Sequence, residues 1–259
     1  MIRAFASLMI AGLLVGAAPP QTVSVLYAGS LVTPMEGPVA NALAQRGIGF
    51  QGEARGSQEI ANFILAGFRT PDVVIVVDPA ILARLTHAGL VAQSWQLGRA
   101  SLGIALAKGH GDVWFDQANV PFGKTLLEGV GWHIARTDPQ LDPKGRYTIE
   151  AVRMLVGAEG EHRLLGDDEN PAQIFPEQDL LVRLETGEAD FGFVYSTEAR
   201  ARHLDFIELP GRASMSDKIR YFVAIMKNAQ HPQAARAFVD FLLHGPGRAI
   251  LTNAGLSHP

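Results

Sequence analysis

Val23-Ser24-Val25-Leu26-Tyr27-Ala28-Gly29-Ser30-Leu31 is an apolar run that ends in Ala-Gly-Ser and passes, beyond Pro34, into helical spacing. Val25, Leu26 and Tyr27 favour a strand, Gly29 permits a tight turn, and Ser30 stands where an N-cap would hold free backbone N–H groups. A strand-to-helix corner of this kind offers unpaired donors, partial positive charge and a neutral hydroxyl, which together suit an anion. A second such corner follows at Gly56-Ser57, before the helical pattern beginning at Gln58. Two serines at two helix starts could therefore face one small oxyanion.

Working outward, the next segments alternate. Met35 to Arg46 has helix-like spacing, with Pro34, Gly37 and Pro38 confining the regular helix to its later part. Ile48 to Ala54 reads as a strand, Ile60 to Ala66 as a helix, and Asp72 to Asp78 as a strand whose continuous apolar run suits burial on both faces. Ile81 to Ala88 is a helix, with Asp78 placed to cap it, and Leu102 to Ala107 a strand. The pattern argues for an α/β unit, in which ligands gather at the carboxyl ends of strands, where Ser30, Ser57 and Asp78 fall. After a change of character at Lys108-Gly109-His110-Gly111-Asp112, a second α/β set follows. It contains a strand at 132–136, helices at 147–156 and 180–184, and a strand at 191–195. Strands at 206–209 and 221–226 and helices at 232–243 and 247–253 close the chain. The expectation is a two-lobed fold, each lobe a doubly wound sheet flanked by helices, with a cleft between them. Residues 19–107 plus 206–259 form lobe 1 and 108–205 form lobe 2.

Composition narrows the function. The chain has 259 residues, 47% hydrophobic and 19% charged, enough for real cores. A formal charge of -4 without a basic stripe argues against nucleic acid as a partner. The absence of cysteine excludes disulfides and thiolate metal sites, and the eight histidines are too scattered for a local ligand pair, so any metal centre would be held by oxygen. Met1-Ile2-Arg3 followed by the apolar stretch 4–18 reads as a signal peptide over 1–18, cut short by Pro19-Pro20 before it could span a bilayer. Export and a periplasmic location follow.

Several segments resemble, in kind and order, the periplasmic molybdate- and tungstate-binding proteins of ABC importers, which have the type II periplasmic-binding-protein fold. They are Ala28-Gly29-Ser30-Leu31, Gly56-Ser57, the segment 136–145 (Arg-Thr-Asp-Pro-Gln-Leu-Asp-Pro-Lys-Gly), the segment 184–195 ending Gly-Phe-Val-Tyr, and the ending from His231 to Leu256. The resemblance covers nearly the whole chain after the signal segment. It implies no enzymatic activity and no cofactor, the ligand being molybdate or tungstate. Its partners would be that small inorganic oxyanion and a membrane permease, the protein itself being a monomer. It further implies hydroxyl donors at Ser30, Ser57 and Tyr195 and backbone donors near Lys144-Gly145. In a subgroup best known from archaea two carboxylates also bond to the metal, expanding it to six-coordinate. Asp142 and Glu177 stand at the matching positions here, with Asp138 as the alternative to Asp142.

Physical chemistry bears on those carboxylates. A unit charge pair 4 Å apart interacts by about 4 kcal/mol near a protein surface. Ionised Asp142 and Glu177 would therefore repel a dianion unless their oxygens bond to a hard hexavalent metal or they carry protons. Sulfate cannot expand its coordination, so carboxylates in the site would exclude it. Arg55, Arg69 and Arg136 are expected on the surface. The competing readings are the same fold binding sulfate, phosphate or a small organic acid, a serine hydrolase acting through Ser30 or Ser57, and the effector domain of a regulator. Neither serine lies in Gly-x-Ser-x-Gly, and a regulator would need a DNA-binding segment, against which the signal-like start argues.

Overall fold

The computed structural model describes residues 22–107, 122–128 and 131–258. The expected signal peptide over 1–18 and the change of character at 108–112 lie outside them. β1 (Thr22–Ala28), β2 (Gly49–Arg55), β3 (Val73–Val77) and β4 (Val91–Arg99) belong to the first sheet, and β5 (Leu102–Leu106), β6 (Ile134–Ala135), β7 (Phe191–Tyr195) and β8 (Asp205–Glu208) form the second. β9 (Arg220–Met226) returns to the first. The sheet orders are β2-β1-β3-β9-β4 and β6-β7-β5-β8. β1 runs parallel to β2 and β3, whereas β9 is antiparallel to both β3 and β4, so the first sheet is mixed. The second mixes one parallel pair, β6 with β7, with antiparallel β5–β7 and β5–β8.

The two-lobed α/β architecture is as the sequence led us to expect, but the lobe boundaries differ. The strands at 102–106 and 205–208, expected in lobe 1, pair in the second sheet. The chain therefore leaves the first lobe at Ala100-Ser101 and re-enters it between Leu209 and Arg220. The cause is β4, Val-Ala-Gln-Ser-Trp-Gln-Leu-Gly-Arg, a polar edge strand with two register irregularities and mostly unburied side chains. It gives little hydrophobic periodicity. Without a periodic signal in β4, the buried run Leu102–Leu106 reads as the strand that takes its place in the first sheet.

Both sheets are covered on both faces, which is why their central strands are continuous apolar runs. In β3, Val73, Ile75 and Val77 enter the main core with Tyr27, Leu31, Met35 and Phe238, while Val74 and Val76 pack on the other face against Ile60, Ile64, Ile81 and Leu85. In the second lobe Phe191, Phe193 and Tyr195 face the main core, and Val194 faces Leu180, Leu184 and Ala199. After β1 the chain coils at once through a 3-10 turn (Gly29–Leu31), an α-turn (Val32–Pro34) and a π-turn (Met35–Val39) before regular helix at Ala40–Ala44. Pro38 sits inside the π-turn, whose wider hydrogen bonding accommodates a residue without an N–H.

Candidate functional site

The carboxyl ends of β1 and β2 face the second lobe across a cleft of about 480 Å³, bordered by Gly29, Arg55, Gly56 and Glu59 on one side and Asp138, Asp142 and Glu177 on the other. The lobes touch along it. A methyl group placed on Gly56 would meet the Leu141 carbonyl oxygen at 2.4 Å, and one on Gly29 would meet Cβ and Cγ of Glu177 at 3.2 Å. Glu59 N–H donates to the Leu141 carbonyl at 3.3 Å. Asp78 caps the helix Pro79–His87 through the Ala80 N–H at 2.8 Å and also accepts from Arg146 of the other lobe at 2.9 Å.

Ser57 is the first residue of the helix Ser57–Leu65 and is buried. Its Oγ accepts the Val77 N–H at 3.0 Å, which occupies a lone pair and leaves its own proton to donate. Ser30 is not an N-cap. It lies inside the 3-10 turn, where no side chain caps the helix, and its Oγ is 2.8 Å from the Tyr221 hydroxyl. Tyr221 in turn lies 3.2 Å from the Thr197 hydroxyl, so one chain of hydroxyls runs from β1 through β9 into the second lobe. Burial pushes the Tyr221 phenol up, so it stays protonated and able to donate.

In the second lobe Asp142 is the N-cap of the helix Pro143–Leu165 and accepts the Lys144 N–H at 2.9 Å. The backbone donor expected at Lys144 is therefore taken, because an unpaired helix-start N–H is most cheaply satisfied by its own cap. The Lys144 side chain is fully buried, with Nζ bonded to both Glu177 and Glu198 and 5.6 Å from the Tyr195 ring centroid. Glu177 opens the helix Glu177–Thr186. One of its oxygens takes the Lys144 ammonium, and the other, Oε1, is buried with no hydrogen-bond partner among the described residues. Burial pushes its carboxyl up; Lys144 opposes this and Asp142 adds to it. Tyr195 ends β7 with its hydroxyl buried and likewise unpartnered among the described residues. Its phenol is pushed up by burial first, then by Asp142, Tyr221, Tyr147 and Glu177.

Asp142 and Asp138 both border the cleft, but their neighbourhoods differ. The charge of Asp142 reaches Glu177, Tyr195 and Tyr221, whereas the Asp138 carboxylate accepts the Gln140 N–H at 2.7 Å and shapes the turn that delivers Asp142. Of the three arginines, Arg69 lies on the surface and Arg55 borders the cleft in ion pairs with Glu53 and Glu59. Arg136 contradicts the surface expectation. It is completely buried and donates to the carbonyls of Asp167 and Asp168 at 2.9 and 3.1 Å, pinning the loop that leads to Glu177. Tyr221, Thr197, Glu198 and the Lys144 side chain escaped sequence reading. Only Glu198 had a local signal, standing three residues after the N-cap position Tyr195, whose N–H it accepts at 2.6 Å.

Two α/β lobes crossed twice by the chain close on a cleft lined by the carboxylates of Glu59, Asp138, Asp142 and Glu177, with Ser30, Ser57 and Tyr195 buried and outside its lining, the architecture of a solute-binding protein. The chain belongs to the bacterial extracellular solute-binding protein family, whose model matches residues 23–257. A Haloferax volcanii protein provisionally described as an ABC transporter molybdenum-binding protein is 28% identical over 205 residues, 76% of this chain and 62% of its own length. The chain thus spans less than two thirds of that relative. The molybdate-binding protein of Mycobacterium tuberculosis is 27% identical over 208 residues, 79% of this chain and 72% of its own. The fold is shared with the periplasmic molybdate-binding protein of Azotobacter vinelandii, at a TM-score of 0.70 and 19% identity over 92% of this chain and 99% of that one. The hydrolase reading falls with the family assignment, and Ser30 and Ser57 are bonded to Tyr221 and Val77 rather than to an activating base.

Proposed function

We propose that the protein captures molybdate or tungstate in the interlobe cleft, in the periplasm, and delivers it as a monomer to the permease of an ABC importer. In this reading Ser30, Ser57 and Tyr195 donate to oxo groups, and Asp142 and Glu177 are the carboxylates able to bond to the metal. The observation that carries it is that the Tyr195 hydroxyl and Glu177 Oε1 are both buried in the second lobe without a hydrogen-bond partner among the described residues. One is a donor seeking an acceptor. The other is a lone pair seeking a proton or an electrophilic centre. Leaving either unmatched costs about 1–3 kcal/mol, so a ligand that satisfies both is favoured. A hexavalent metal oxyanion provides oxo acceptors and a hard metal that accepts carboxylate oxygen. Sulfate provides acceptors alone.

A second reading rests on the same oxygen. Hydrogen phosphate carries an O–H that could donate to Glu177 Oε1 while its other oxygens accept from Tyr195 and Ser57. Calorimetric titration of the mature protein with tungstate, molybdate, hydrogen phosphate and sulfate separates the two. Binding of tungstate or molybdate at micromolar concentration, well ahead of the other anions, is expected. No heat with either metal oxyanion sinks the first reading, and preference for hydrogen phosphate replaces it with the second.

A further inference from the structure

Lys144 is a lysine whose whole side chain is removed from water, and its ammonium has a specific task. It bonds to Glu177 Oε2 and Glu198 Oε1, while the second oxygen of Glu198 accepts the Tyr195 N–H at 2.6 Å. Two residues along the helix start, the backbone N–H of the same Lys144 holds Asp142. One residue thus touches Asp142 through its backbone, Glu177 directly, and Tyr195 through Glu198. Arg202, the other cation whose charge reaches Glu177, is committed to Glu185 and to the Thr33 hydroxyl, each at 3.1 Å. Without the ammonium, the buried Glu198, the largely buried Glu177 and the half-buried Asp142 would stand together with no counter-charge in hydrogen-bond contact among the described residues. A dianion could then approach only against their field.

We propose that the Lys144 side chain is a positioning and specificity-determining residue of the site. It fixes Glu177 so that Oε1 alone is offered to the ligand, and it offsets the carboxylate charge that would otherwise repel an anion. The inference rests on the oxyanion-binding reading above. A rigidly held carboxylate oxygen favours a ligand with an electrophilic centre and disfavours one that presents only lone pairs. Removing the ammonium frees Glu177 to turn away, so the advantage of the metal oxyanion over sulfate disappears.

The test is calorimetry with tungstate and with sulfate on the wild type, Lys144→Met, Glu177→Gln and the double variant, with thermal melting of each. Lys144→Met is expected to weaken tungstate at least tenfold and to cut its advantage over sulfate by a similar factor. Because Lys144 acts on discrimination through Glu177, the double variant should keep the tungstate-to-sulfate affinity ratio of Glu177→Gln alone within twofold. A merely structural lysine would lower the melting temperature, weaken both anions alike and add its full penalty to Glu177→Gln; that pattern overturns the proposal. Should Lys144→Met fail to fold, Lys144→Met/Glu198→Gln removes one buried charge of each sign and must show the same loss of discrimination, an unchanged ratio being the overturning result. A wild type that binds neither metal oxyanion sinks the underlying reading, whereas a wild type that binds them with Lys144 irrelevant sinks this inference alone.

Discussion

Replacing Gly56 by alanine should act on closure of the two lobes and on little else. Gly56 has φ -59° and ψ 136°, a conformation alanine adopts freely, so the first lobe loses nothing. The added methyl would lie 2.4 Å from the Leu141 carbonyl oxygen and 3.0 Å from its carbon, where side-chain carbons do not come closer than 3.0 Å. The second lobe must therefore withdraw by at least about 0.6 Å at that point. Both clashing atoms are backbone, so no rotamer change can relieve them. Withdrawal also stretches the 3.3 Å bond from the Glu59 N–H to the same carbonyl and moves the turn that carries Asp142. Overpacking of this kind costs about 1–3 kcal/mol, which appears as a roughly 5- to 150-fold loss of ligand affinity because only the closed state is penalised. The melting temperature without ligand should stay level or rise slightly, since alanine restricts the unfolded chain. Gly29→Ala is the graded control. Its methyl meets side-chain carbons of Glu177 at 3.2 Å, which can give way, so a loss below about 1 kcal/mol is expected. Calorimetry and small-angle scattering with and without tungstate would read both effects. The reasoning is refuted if Gly56→Ala binds within twofold of the wild type and reaches the same compact dimensions with ligand.

Tyr195→Phe removes a buried hydroxyl that has no partner among the described residues. It should leave ligand-free stability unchanged or up to about 1 kcal/mol higher, while weakening the oxyanion by about 1.5–3 kcal/mol; a destabilised ligand-free protein would show that the hydroxyl is satisfied. Glu177→Gln should weaken tungstate strongly and sulfate little, as read by calorimetry, and tungstate affinity unchanged within twofold would remove Glu177 from the metal. Asp72, remote from the cleft, gives the clearest pH effect. Burial raises its carboxyl, but bonds from Ser24 and from the backbone and ring of His231 outweigh this and hold it below the usual range. Its contribution is therefore fully present above about pH 4 and lost as pH falls through the lower folded value. Asp72→Asn should be less stable by about 1–3 kcal/mol at pH 7 in chemical denaturation and should lack that acid limb; an unaltered acid limb would count against the assignment.

The legible parts of the sequence were those where one periodicity has one outcome. Val73–Val77 can be only a strand covered on both faces, and Pro232–Leu243 only a helix burying Ala235, Phe238 and Leu242. Sheet membership was not legible for Leu102–Leu106, since a fully buried run fits any central position and the competing strand β4 is polar. The site was half legible. Ser57 and Asp142 stand at helix starts, and helix starts are punctuated by residue type. Tyr221 reaches Ser30 across 191 positions of chain, and Lys144 reaches Glu198 across 54. No local pattern encodes such contacts, because they are products of packing. Arg136 was misread, and the Lys144 side chain escaped reading, for the same reason. A long cationic side chain is solvated by default, and only tertiary structure can supply the buried carbonyls and carboxylates that hold it inside.

Three residues of the proposed site make a bond within the protein and keep a further atom to spare. Asp142 spends Oδ1 on the Lys144 N–H, and a carboxylate has a second oxygen. Ser57 spends a lone pair on the Val77 N–H and keeps its proton. Glu177 spends Oε2 on an ammonium and keeps Oε1. In each case the bond made to the protein fixes the direction of the one left over, so in the proposed reading the structural role sets up the functional one. The consequence is practical. Alanine at these positions would remove both halves at once and confound stability with affinity. Asn at 142 and Gln at 177 keep an oxygen for the structural bond while replacing the other with a donor, which a metal centre cannot accept. If the leftover atoms face the ligand, the amide variants will retain their melting temperature and lose the oxyanion.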